Sequence, residues 1–177
     1  MKKVIMIVAM LVAVVCVNAQ NEEGQLTLMP KAGINLATYS GDDGAKMRIG
    51  PVGGVELEYG LSDNFGLACG VLYSMQGAKV DGTDMKIDAH YINVPILAQY
   101  YVIDGLAIKA GVQPGFCVSS DWNDPKVFDL SIPVGLSYEI SRFVIDARYN
   151  IGVTKILDGF TDKNSVIQFT LGYKIGL

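Results

Sequence analysis

The sequence predicts an all-β fold: an eight-stranded antiparallel up-and-down transmembrane β-barrel, preceded by a cleaved signal peptide. Three observations predict it. An export leader is followed by a chain with no apolar run of about 18 residues, so no helix is expected to cross a membrane. Polar and apolar residues alternate along nearly all of that chain. Its connections alternate between tight turns and longer polar loops, as in barrels of the bacterial outer membrane.

The leader occupies residues 1–19. Lys2 and Lys3 supply a positive start, and Val4–Val15 is apolar but too short to span a bilayer. Val17-Asn18-Ala19 places small residues where a signal peptidase reads, so cleavage is expected between Ala19 and Gln20. Val15 stands before Cys16 where lipoprotein signals carry a small residue, which disfavours lipidation. Residues 20–177 then form a single barrel domain with 12 basic and 18 acidic residues. That balance argues against a nucleic-acid partner. The exported compartment permits disulfides, but Cys69 and Cys117 fall on opposite faces of non-adjacent strands, so two free thiols are expected.

The alternation places strands at about 28–39, 49–61, 65–77, 89–103, 106–118, 128–140, 143–154 and 165–177. The even count suits a closed barrel. Ser62-Asp63-Asn64, Asp104-Gly105 and Ser141-Arg142 are tight turns. The connections near 40–48, 78–88, 119–127 and 155–164 are longer and rich in Asp, Gly, Lys and Asn. Short turns belong in the periplasm and long loops outside the cell, which places both termini in the periplasm of a Gram-negative bacterium. Pro51, Pro95, Pro114 and Pro133 interrupt these strands, and local irregularity is expected there because proline lacks the ladder N–H.

Alternation does not by itself say which face meets lipid, since a soluble barrel would be apolar inside. Glycine placement decides. Gly60, Gly66, Gly70, Gly111, Gly115, Gly135, Gly152 and Gly172 all fall on the polar face. Side chains just fill the interior of an eight-stranded barrel, so small residues belong there. Residues 143–154 illustrate the result: Phe143, Ile145, Ala147, Tyr149, Ile151 and Val153 face lipid, while Asp146, Arg148 and Asn150 face the lumen. Aromatics on the lipid face gather near the turn end (Tyr59, Phe65, Tyr100, Tyr138, Phe143, Tyr173) and more sparsely near the loop end (Tyr73, Phe116, Phe128), as interfacial girdles do.

The inward face carries Lys31, Glu56, Glu58, Lys109, Asp129, Glu139, Asp146, Arg148 and Lys174. Lone charges are expensive in a narrow, partly dry lumen. These nine are read as a structural plug of ion pairs; the alternative is a gated ion path, disfavoured by the small bore.

The motifs carry a family resemblance. Tyr91-Ile92-Asn93-Val94-Pro95-Ile96-Leu97-Ala98 resembles the aromatic–aliphatic–polar–aliphatic–Pro motif of the PorT-like outer-membrane β-barrel family of Bacteroidetes. Lys109–Gly115, Phe128–Ile156 and Lys31-Ala32-Gly33-Ile34-Asn35 are similar to other strands of that family. The resemblance implies an eight-stranded barrel; the namesake works in type IX protein secretion and gliding, and no residue here marks that role. Many outer-membrane barrels end in Phe or Trp, whereas this chain ends in Leu177 after Tyr173 and Ile175.

An enzyme is not expected. Lipid-modifying barrels that hydrolyse need a Ser–His pair at the outer rim; His90 is the only histidine, and Ser74 on the neighbouring strand turns inward. Asp121-Trp122-Asn123-Asp124 lacks calcium-loop spacing, and no cofactor or metal motif occurs. The sequence is therefore read as a monomeric structural or interaction barrel of the cell envelope, in contact with outer-membrane lipid and lipopolysaccharide and with envelope or secretion proteins. A narrow pore is the second reading and a lipid-modifying enzyme the third. The face assignment has a direct consequence. Ile145→Arg places a charge in the hydrocarbon and should cost roughly 2–4 kcal/mol near the midplane; urea titration of folding into bilayers measures it, and an unchanged variant would reverse inside and outside.

Overall fold

The computed structural model describes residues 23–40, 45–80, 86–120, 127–154 and 163–177. They form eight antiparallel strands closed into a barrel. β1 spans Leu26–Ser40; β2 comprises Ala45–Lys46 and Arg48–Ser62; β3 spans Phe65–Val80. β4 comprises Lys86–Asn93 and Ile96–Ile103, and β5 spans Leu106–Ser120. β6 spans Phe128–Ile140, β7 spans Phe143–Gly152, and β8 comprises Lys163–Tyr173 and Ile175–Gly176. Each strand pairs with its sequence neighbours, and β8 pairs with β1 to close the sheet. Closure leaves no free edge, so backbone groups find partners within the sheet. The expected strands are all present; several are longer than the alternation indicated, while β7 ends at Gly152, two residues before the expected end at 154. The predicted cleavage site at Ala19 and Gln20 and the loop tryptophan Trp122 lie outside the described residues.

The register fixes the barrel's shape. Paired positions followed once round from Leu26 run through Tyr59, Leu67, Ala98, Ala110, Val134, Tyr149 and Ile167. They return to β1 at Leu36, ten residues further on. That stagger tilts the strands by roughly 40° and leaves a bore that side chains fill.

Both faces are as the alternation implies. Ile145, Leu136, Leu171, Val71 and Ile108 are exposed to the surroundings, as are the aromatics Tyr59, Tyr100, Tyr138, Tyr73, Phe116 and Phe128. Lys31, Glu56, Lys109, Asp146 and Arg148 are buried inside. Burial is thus inverted relative to a water-soluble protein, with the charges within and the large apolar residues outside. Cys69 and Cys117 are free thiols.

The prolines explain the irregularities. Val94 and Pro95 form the break of β4, and the ladder to β5 is interrupted there; Val94 N–H reaches Pro114 O at 2.8 Å. Pro133 faces an interruption of the β5–β6 ladder, and Pro51 one in the β2–β3 ladder. Pro30, in β1, faces the break of β8 at Lys174. In a closed sheet the missing N–H must face a gap in the ladder, and here each does.

Candidate functional site

The lumen is the candidate site. Alternation along β1, β2, β5 and β7 aims Lys31, Glu56, Lys109, Asp146 and Arg148 at one level of the barrel. Arg148 is the centre. Its Nη1 lies 2.6 Å from Glu56 Oε1 and its Nε 2.7 Å from Asp146 Oδ1. Its Nη2 donates to Glu56 Oε2 and Asp146 Oδ2, both at 2.9 Å. The guanidinium fork therefore holds two carboxylates at once, an arrangement that lysine cannot copy. Lys31 Nζ donates to Glu56 Oε2 at 2.6 Å and lies 3.7 Å from Asp146 Oδ2, while Lys109 Nζ lies 3.4 Å from the same oxygen.

A second group lies nearer the turn end. Lys174 Nζ donates to Glu139 Oε2 at 2.7 Å and to Glu58 Oε1 at 3.0 Å. Tyr101 donates its hydroxyl to the same Glu58 oxygen at 2.8 Å. The first group holds three cations and two anions, the second one cation and two anions. Together the eight charges are neutral, as the desolvation penalty of a buried network demands.

Glycines make room for it. A Cβ on Gly70 would meet Glu56 Cγ at 2.6 Å, and a Cβ on Gly135 would meet Arg148 Cγ at 3.0 Å. These two bare positions of β3 and β6 let the long side chains lie against the wall.

Of the nine residues predicted for the lumen, the structure gathers eight into these two groups. Asp129 stands apart towards the loop end, where it accepts a hydrogen bond from the Thr154 hydroxyl at 2.6 Å. Above the charges lies a layer of neutral polar residues: Asn35 Nδ2 donates to Ser74 Oγ at 2.8 Å, as does Gln76 Nε2 at 2.9 Å. Arg48 and Tyr101 also reach the lumen, and the alternation does not place them there. Arg48 donates to Gln76 O at 3.3 Å inside the barrel; it shares the parity of Glu56 and Glu58 but lies one residue before the strand expected at 49–61. Tyr101 sits in the apolar run Tyr100–Ile103, where a register shift between Tyr101 and Ile103 hides the alternation.

Ser74 and His90 do not come together. Ser74 is buried in the lumen, while His90 accepts or donates a 2.6 Å hydrogen bond through Nδ1 with the exposed Tyr73 on the lipid face. Ser74 is therefore not the partner of His90; the serine that the register sets opposite His90 is Ser119 of β5.

A family model described as "Outer membrane protein beta-barrel domain" matches residues 7–174. Among solved structures, Ail, the attachment invasion locus protein of Yersinia pestis, is similar with a TM-score of 0.53 and 18% identity, over 86% of this chain and 99% of that one. The outer membrane protein OprG from Pseudomonas aeruginosa is similar with a TM-score of 0.52 and 17% identity, over 88% and 98%. At these identities the likeness concerns the fold. No curated protein sequence matches the chain.

The geometry predicts the cost of removing the centre. Arg148→Ala leaves Glu56 and Asp146 short of their shared partner and should destabilise the barrel by roughly 3–5 kcal/mol, read as a lower urea midpoint of the purified barrel in bilayers.

Proposed function

This chain belongs to the outer membrane protein β-barrel domain family, and from that premise we propose that it is a closed structural and interaction barrel of the outer membrane. The observation that carries this reading is the neutral eight-charge network. Arg148 is 2% exposed, Lys109 2% and Glu56 0%, so the lumen at that level is filled by the chain's own side chains. A filled lumen favours a role at the surfaces of the barrel over transport through it. In this reading both termini face the periplasm after removal of residues 1–19, and the long loops face outward towards lipopolysaccharide and envelope proteins. The PorT-like motifs give the specific version, an accessory of protein secretion. A single polypeptide closes the barrel, which favours a monomer.

Planar-bilayer recording tests the closed lumen: the purified barrel should give no stable single-channel steps, and reproducible steps would favour a narrow pore. Affinity purification of the intact barrel from its native membrane tests the interaction role. Secretion or envelope proteins should co-elute specifically, and recovery of the barrel alone would count against it.

A further inference from the structure

The lipid-facing surface is not uniformly covered. Across β6, β7, β8 and β1 it carries an open crevice of about 560 Å3, within the range of roughly 300–1,000 Å3 that holds small ligands. Its origin is legible on β7. The outward row reads Phe143, Ile145, Ala147, Tyr149, Ile151, so a single methyl interrupts a series of large side chains. The register sets Ala147 between Leu136 of β6 and Phe169 of β8. A notch results, which continues past Tyr149 and Ile167 towards Thr38 and Met47 at the loop end.

Tyr149 is long enough to fold over this notch. Instead its hydroxyl is tied to Ser165 Oγ on β8 at 2.9 Å. This bond points the ring towards the loop end and keeps it off Ala147. The remaining walls, Leu36, Val134, Leu136 and Ile167, are apolar. Arg148 contributes to the floor but buries its charge in the lumen.

We propose that this crevice is a binding site for one acyl chain of a membrane lipid, with Ala147 as its floor and the Tyr149–Ser165 hydrogen bond holding it open. Three features identify the occupant. The crevice is continuous with the surface that already meets lipid. It runs from the middle of the belt to the loop end, the direction in which an acyl chain lies. The Tyr149 and Ser165 hydroxyls satisfy each other, so apart from Thr38 at the loop end the crevice presents apolar surface. The leaflet at the loop end is the outer one under the orientation proposed above.

Intact-mass measurement tests the site. The barrel is assembled in nanodiscs of dimyristoylphosphatidylcholine alone, released into mild detergent and ionised whole. The parent should carry one retained phospholipid and Ala147→Leu, which fills the notch, should carry none, with both showing the same heat-dependent gel shift of a folded barrel. If Ala147→Leu does not fold, Thr38→Leu fills the loop end of the crevice and carries the same expectation. A parent without lipid, a filled variant that retains as much as the parent, or a parent dimer that the filled variant abolishes would each overturn the proposal. Both leaflets contain one lipid, so the outcome is independent of the barrel's orientation and of whether its lumen conducts.

Discussion

The fold depends on one arrangement: a guanidinium, Arg148, shared between two buried carboxylates, Glu56 and Asp146, that lie on strands far apart in sequence. β2 and β7 are brought across the lumen from each other only when the sheet has closed through β1 and β8. An unpaired charge in that position would cost several kcal/mol, so the network forms only in the closed barrel and penalises alternative registers. A slip of one residue in β7 would send Asp146 and Arg148 into lipid and Ile145 and Ala147 into the lumen. The stabilising value of the network against an apolar filling is small; its consequence here is that one register is strongly preferred.

The surrounding sequence is arranged to permit this. Gly70 and Gly135 remove the side chains that would occupy the space of Glu56 and Arg148. The prolines break the ladder locally, and pairing resumes on either side of the gaps. The outer surface is covered by exposed Leu, Ile, Val and aromatic residues, which in a bilayer is the stable state and in water would be an aggregation hazard. The same barrel is therefore specified from both sides, by what lipid excludes and by what the lumen must neutralise.

Much of this was legible in the chain. The alternation in Phe143–Thr154 separates the lipid face from the lumen face without any structure, and the glycine parity settles which is which. The composition of the lumen was legible for the same reason, since a period of two assigns each charge to a side. The pairing was not. Which cation meets which anion depends on the stagger between strands, so the grouping of Lys174 with Glu58 and Glu139, apart from Arg148, is invisible to periodicity. Arg48 was missed at a strand boundary and Tyr101 at a register shift, the two places where alternation carries least information. Pro30 lies within the alternation of β1 and gives no sign of the ladder gap that it faces at β8.

The most direct test of the account is a double-mutant cycle between Arg148 and Glu56, with stability read by urea unfolding in bilayers. Each single change, Arg148→Met or Glu56→Met, removes one partner from a buried charge and unbalances the eight-charge network, whereas the double change removes one cation and one anion and leaves the network neutral. The account predicts that the double variant loses less stability than the two single losses added together, with a coupling of about 2–3 kcal/mol. Additive losses, with a coupling near zero, would contradict the claim that this ion pair organises the lumen.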